Sequence, residues 1–384
     1  MMQGRLNLSH ITAGFTAVLV GYTSAVVIII QVATNAGATP EQIESWLLAL
    51  GVAMGSTSIL FSWFYKTPIL IAWSTPGAAM LVAAVEQYSL STAIGAFIMT
   101  GALIALTGLI TPLSRALERI PSQLGTAMLG AVLVPFCMNA FVPAQEQLWI
   151  FLAMFISFLV AKFVIPRFAM LVLLIVGVLG AYINGEIATN AINLSVAMPV
   201  WMSPKFDLLA LINLTLPLYV ITMLSQNLPG ITMIKTHGYQ PPVKSVLVGT
   251  GVANMLFAPF GGYSLNLAAI TAAICMNDAV DGDRSKRYRA AIWAGVFYLI
   301  AGLFATTVVA LFLALPKYVS QILAGLALLG TLLMCLQTAF KTPKYQEPAL
   351  FTFLITLSGV SIFGVSATLL GLLVGLVYLR FVKV

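Results

Sequence analysis

Ionisable side chains are what this sequence has least of. Asp, Glu, Lys and Arg make up 8% of its 384 residues, whereas a soluble domain carries about 25%. Cysteine is confined to Cys137, Cys275 and Cys335, each inside an apolar run. That excludes a disulfide framework and a metal-ligand spacing, and leaves the three as small buried apolar side chains. No zinc spacing, nucleophile–base pair or phosphate-cradling glycine loop occurs, so neither a metal nor a cofactor is expected. The net charge of +7 would suit nucleic acid, but no basic stripe interleaved with aromatics accompanies it. With 60% hydrophobic residues and a mean hydropathy of +1.03, the solvent this chain is written for is the lipid bilayer.

Apolar stretches long enough to cross a bilayer recur throughout. Seven fall near 11–33, 45–65, 67–86, 91–112, 122–142, 147–164 and 168–185. Seven more fall near 207–230, 242–258, 259–276, 288–314, 317–339, 348–361 and 365–382. Arg5 before the first stretch and Ala36-Gly37-Ala38 after it imitate a signal peptide. Signal-peptide cores run only about 7–15 residues, so the stretch is read as an uncleaved span. With the N-terminus inside, every Lys and Arg except Lys205 and Lys317 falls at a cytoplasmic connection, as the positive-inside rule requires. A miscounted span would put each later connection on the wrong side. The expected fold is an all-α polytopic membrane protein of about 14 transmembrane segments. Seven per half is odd, so the second half is inverted, as in many secondary transporters.

The third segment of each half departs from a plain helix. In the first, Thr67-Pro68-Ile69-Leu70-Ile71-Ala72-Trp73 is interrupted by Ser74-Thr75-Pro76-Gly77 before a small-residue run from Ala78 to Val85. A hydroxyl before Pro is a strong helix start, which predicts an extended stretch and then a half-helix. In the second, Ala258-Pro259-Phe260-Gly261-Gly262-Tyr263-Ser264-Leu265-Asn266 leads into Leu267-Ala268-Ala269-Ile270-Thr271-Ala272-Ala273, with Ser264 or Asn266 as the cap. The plainer alternative is that Pro76 and Pro259 only kink ordinary helices. Interrupted segments in matching positions point to a transporter's binding site. The two half-helices run outward and inward from mid-membrane, so their positive N-terminal ends face one another and together match one monovalent anion.

These same stretches, from Ala72 to Ala79 and from Pro259 to Cys275, resemble the signature regions of the benzoate membrane transport (BenE) family. The resemblance covers essentially the whole chain. It implies benzoate–proton symport and the fold shared by uracil permeases and sulfate permeases. In that fold a core domain (here 1–114 and 207–316) moves against a gate domain (115–206 and 317–384). Relatives of the fold are often dimers, so a homodimer is an expectation, as is a bacterial inner membrane with both termini cytoplasmic. Uracil permeases place carboxylates on segments 8 and 10; the matching positions here are Gln226 and Tyr263. A carboxylate there would repel an anion, so its absence favours an anion over a nucleobase. Another small anion or a nucleobase remains the alternative.

The expected substrate-binding residues are Ser74, Thr75 and Gly77 in the first half, and Tyr263, Ser264, Leu265 and Asn266 in the second. Backbone N–H groups there would hold the carboxylate, with the hydroxyls nearby. Tyr22, Thr23 and Ser24 form a polar patch that lines the pocket or else hydrogen-bonds to a neighbouring helix. Gln226 and Asn227 are costly to bury without partners, which suggests a substrate or gating role. Tyr263 supplies an aromatic wall or fills core space. Intramembrane ionisable groups usually mark proton paths, and Glu86 is the one acid read within a core segment; an exposed helix end explains it as well. His10 and His237 are read as solvated at cytoplasmic edges. The loop Asn277-Asp278-Ala279-Val280-Asp281-Gly282-Asp283 resembles the aspartate-rich motif of membrane prenyltransferases. Such enzymes need a second acidic cluster, and beyond Asp283 the chain has only Glu347. A solvated loop of mixed charge is therefore expected, and no enzyme.

Overall fold

The computed structural model describes residues 8–110, 112, 120–187 and 195–381. Arg5, Arg115, Arg119, Lys383 and the expected domain boundary at 114 lie outside the described residues. The first half contains α1 (Leu8–Asn35), α2 (Pro40–Tyr65), β1 (Ile71–Trp73), α3 (Thr75–Ala84), α4 (Leu90–Leu109), α5 (Ser122–Asn139), α6 (Leu148–Val164) and α7 (Ala169–Ile183). The second contains α8 (Leu208–Thr236), α9 (Val243–Phe257), β2 (Leu265–Leu267), α10 (Ile270–Met276), α11 (Tyr288–Leu303), α12 (Ala305–Ala314), α13 (Lys317–Ala339), α14 (Pro343–Ser358) and α15 (Ala367–Leu379). Among the described residues, eight helices are long and apolar enough to cross a membrane, or nine if the pair joined near Phe304, bent by 63°, is one span. The molecule is a helical membrane protein.

Local sequence accounts for the helix boundaries. Thr39 caps α2 in a reciprocal box with Gln42, and Pro40 occupies the first turn. This start lies five residues before the one read from hydropathy, so Glu44 belongs to α2, where its carboxylate accepts from the Thr306 hydroxyl at 2.7 Å. Glu86 is therefore not alone in the core segments, and the correction follows from a capping box that hydropathy does not register. In α8 the backbone widens into π-helical turns at Leu211–Thr215 and Met223–Asn227. Each is followed two residues later by proline, Pro217 and Pro229. A proline inside a helix lacks an N–H and its ring crowds the carbonyl four residues back; a wider turn relieves both.

The two strands pair antiparallel, with Ile71 opposite Leu267, Ala72 opposite Asn266 and Trp73 opposite Leu265. The fold is thus not purely helical: the two expected extended stretches find each other. Unsatisfied backbone at membrane depth is tolerated only inside protein, and both outer edges of this ribbon are met by side chains. On α2, Ser62 and Ser58 accept from the N–H groups of Ile69 and Ile71 at 3.1 and 2.9 Å. Asn254 on α9 accepts from Leu265 N–H at 2.8 Å, and Asn227 on α8 from Leu267 N–H at 3.0 Å.

Around the ribbon, α2 packs on α11 and α4 on α9, α5 packs on α13, and α14 pairs with α15 as α6 does with α7. Small residues set the closest approaches, as membrane helix interfaces favour. A Cβ on Gly51 of α2 would stand 2.5 Å from the Cα of Gly302, and one on Gly251 of α9 would stand 2.5 Å from the Gly101 carbonyl.

Candidate substrate site

The ribbon positions the starts of both half-helices. Ser74 ends the extended stretch and caps α3, its Oγ accepting from Gly77 N–H at 3.0 Å. That bond uses a donor which the sequence reading left free for substrate, and Pro76 has none. A Cβ on Gly77 would meet Leu218 at 2.6 Å, so this position has no room for a side chain. Ser74 N–H donates to the Ser264 carbonyl at 3.0 Å, which makes the two serines neighbours. Thr75 is half-buried beside them. Ser264 holds φ of +50°, a conformation that costs a non-glycine residue about 1–3 kcal/mol. Its hydroxyl is held 2.5 Å from that of Thr222 on α8.

The second half-helix differs from expectation. It begins at Ile270, with Ala269 before it and no side-chain cap. Ser264 and Asn266 cannot cap it, because residues 265–267 are extended by pairing with β1. Leu265 is fully buried, and Asn266 donates from Nδ2 to the Ser264 carbonyl at 2.8 Å. The Asn266 Oδ1 and the hydroxyls of Tyr22 and Tyr263 are buried without a partner among the described residues.

The other residues singled out from the sequence divide clearly. Tyr22 lies against Trp73 of β1, ring centroids 5.1 Å apart. Thr23 and Ser24 turn back onto their own helix, bonding the carbonyls of Leu19 and Gly21 at 2.7 and 3.0 Å. Asn227 holds β2, and the half-buried Gln226 precedes it in the same π-helical turn. Tyr263 is fully buried, stacked on Phe97 at 4.9 Å and edge-on to Trp46 at 5.6 Å. Ser74, Thr75, Gly77, Asn227, Ser264, Leu265 and Asn266 therefore gather at the ribbon, with Tyr22 reaching it through Trp73.

Four residues at this centre were not singled out by sequence: Ser58, Ser62, Thr222 and Asn254. Asn254 carries the same signal as Asn227, an amide in an apolar run, which is costly unless bonded. Ser58 and Ser62 are spaced to share one helix face.

A cavity of about 1280 Å³ opens between α1 and α3 on one side and α5 and α13 on the other. It reaches Ala79 and Met80 of α3, and its polar lining includes Gln31, Asn35, Glu86, Lys205, Asp207 and Lys317. Glu86 is the one predicted site residue on its wall. The residue is exposed and accepts from Asn35 Nδ2 at 2.9 Å. The two lysines that fall outside the cytoplasmic set, Lys205 and Lys317, both face this cavity.

At the opposite end the acidic loop is a network of ion pairs. Asp278 meets Arg287 at 2.6 Å and Asp283 meets Lys286 at 3.0 Å. The Ser285 hydroxyl, with help from Lys286, holds the Asp283 carboxyl down to about 2. His10 is not solvated as expected: it is 2% exposed, packed against this loop.

The sequence matches the family model described as Benzoate membrane transport protein over residues 4–381. The chain belongs to the benzoate membrane transport family. It is 40% identical over 363 residues to Inner membrane protein YdcO of Escherichia coli, covering 94% of this chain and 93% of that one. It is 34% identical over 370 residues to the Benzoate membrane transport protein of Acinetobacter baylyi, covering 96% and 94%. Among solved structures, the transmembrane domain of the cyanobacterial bicarbonate transporter BicA aligns over 98% of both chains with a TM-score of 0.62 at 16% identity. SLC26A9 aligns over 97% of this chain and 64% of its own, with a TM-score of 0.66 at 13% identity. The fold of this family member is accordingly the one used by SLC26 and BicA transporters. The benzoate membrane transport family comprises integral membrane transporters, not enzymes.

Proposed function

We propose that the protein is a secondary active transporter that imports benzoate or a related aromatic carboxylate, together with protons, across a bacterial inner membrane. The observation that carries this reading is the antiparallel pairing of β1 and β2. It sends α3 and α10 away from one ribbon in opposite directions, so both turn their electropositive N-terminal ends toward it. The carboxylate is held there by the backbone at Thr75 and by the hydroxyls of Ser74 and Ser264; the Gly77 N–H fixes the Ser74 hydroxyl and the Asn266 amide fixes the Ser264 carbonyl. Tyr22, with the Thr23–Ser24 turn behind it, flanks the aromatic ring together with Leu265; Gln226, Asn227 and Tyr263 shape the far wall. The buried, unpartnered hydroxyl of Tyr22, which can donate, supports a ligand or water here, since buried polar groups are as a rule hydrogen-bonded.

The chain crosses the membrane in about 14 segments, as two inverted sets of seven, with cytoplasmic termini. Shifting each segment by seven exchanges the α2–α11 and α4–α9 packings with one another, which supports the repeat. The core (1–114 and 207–316) moves against the gate (115–206 and 317–384), and the cavity between them is the access route. Lys205 and Lys317 favour anions in that vestibule. Glu86 on its wall is one candidate for carrying the proton. The protein works as a homodimer, as expected from the fold.

The test is uptake of labelled benzoate into proteoliposomes of the purified protein under an inward proton gradient. Accumulation that unlabelled benzoate blocks and uracil does not is the expected result. Saturable uptake of another anion or of a nucleobase, with none of benzoate, would replace the substrate.

A further inference from the structure

The proton path has one better-built candidate than Glu86. His10 of α1 is 2% exposed, with its Nε2 3.0 Å from Asp281 Oδ2. The two groups form an ion pair only when the imidazole is protonated, so their attraction depends on the charge of His10. Asp281 is itself seated on Arg287, which is 6% exposed. Arg287 donates from Nε to the Asp281 carbonyl at 2.7 Å and from Nη1 to the Met276 carbonyl at 2.9 Å. Met276 is the last residue of α10. One chain of contacts thus runs from an imidazole on α1, through Asp281 and Arg287, to the end of a half-helix whose start lies at the ribbon. The groups facing His10 are Asp281 in the loop, Lys286 in the turn after it and Arg289 on α11. The carboxylates of Asp278 and Asp283 are already engaged by Arg287 and Lys286. Among the described residues Asp281 is the acid that faces His10, its other oxygen accepting from Asp283 N–H at 2.9 Å.

Resting on the symport reading above, we propose that the His10–Asp281 pair is the proton-binding site that couples transport. The imidazole takes up one proton, and the imidazolium–carboxylate pair then fastens the loop, and with it α10, to α1. Release of that proton to the cytoplasm loosens α10 and lets the inward step finish. Imidazole is the side chain suited to this, because its unperturbed charge change falls between about pH 5 and 8.

The experiment compares two modes in proteoliposomes: benzoate–benzoate exchange without a gradient, and accumulation driven by an inward proton gradient. His10→Gln and Asp281→Asn are each expected to retain exchange, to lose accumulation above equilibrium, and to flatten the dependence of uptake on internal pH across that range. Accumulation at the parent level in either variant overturns the proposal. So does loss of exchange in both, which would make the pair structural. If the parent protein exchanges no benzoate, the proposed substrate fails, and the pair is then tested with whichever anion the parent exchanges.

Discussion

The two strand–helix units do the same job with different chemistry. The first is largely self-sufficient: Ser74 caps its own helix, Pro76 fixes the first turn, and α3 runs for ten residues. The second depends on its neighbours. Its helix has seven residues and no side-chain cap, and Ser264 is held at positive φ with its hydroxyl against Thr222. The strand edges differ likewise, hydroxyls from α2 serving β1 while the amides of Asn254 and Asn227 serve β2. A half-helix that caps itself can keep its shape while the surroundings move. One held from outside responds to them, which suits the unit tied to His10.

Substitutions can break this contrast in graded ways. The largest effect is expected from Ser264→Glu, which puts a carboxylate where the substrate's own should lie. Transport should be abolished in protein that still elutes as a folded particle; normal uptake would remove Ser264 from the site. Next is Asn254→Leu, which strands the buried Leu265 N–H at a cost of about 1–3 kcal/mol. Its melting temperature and uptake should both fall, and uptake should fall further than in Ser58→Ala. Equal losses would mean that the second unit is no more dependent than the first. Ser74→Ala should lower stability by about 1 kcal/mol, the usual value of an N-cap, measured by thermal unfolding in detergent. Lys205→Gln with Lys317→Gln should raise the KM for benzoate at low ionic strength and leave it unchanged in high salt, where such fields are screened. Glu86→Gln should change little; loss of gradient-driven uptake alone would return the proton to that vestibule residue.

Much of this was legible in the sequence because it is written locally. The Ser74-Thr75-Pro76-Gly77 start is a helix-capping signal that needs no partner, and it appears where expected. The second break was visible as Gly261-Gly262, but its helix start was misplaced. A polar residue ahead of an apolar run looks like a cap until its backbone is claimed by a strand far away in sequence, as residues 265–267 are by β1. His10 was misread for a related reason: a histidine three residues into a helix looks solvated unless the loop around Asp281 is known to fold over it. Glu44 shows the opposite case: the Thr39-Pro40-Glu41-Gln42 box is written locally, but a span read from hydropathy alone does not register it. The roles of Ser58, Ser62 and Asn254 depend on which backbone groups lie beside them, and spacing along the chain does not carry that information.

The central claim is that one carboxylate sits at the ribbon between the two half-helices. The most direct measurement is a structure of the protein in complex with 4-bromobenzoate, locating the bromine by anomalous scattering and the carboxylate by its density. The account predicts the carboxylate beside Thr75 and Ser264, with the ring toward Tyr22 and Leu265. A ligand found only in the cavity near Lys205 and Lys317, with the ribbon closed, would contradict it.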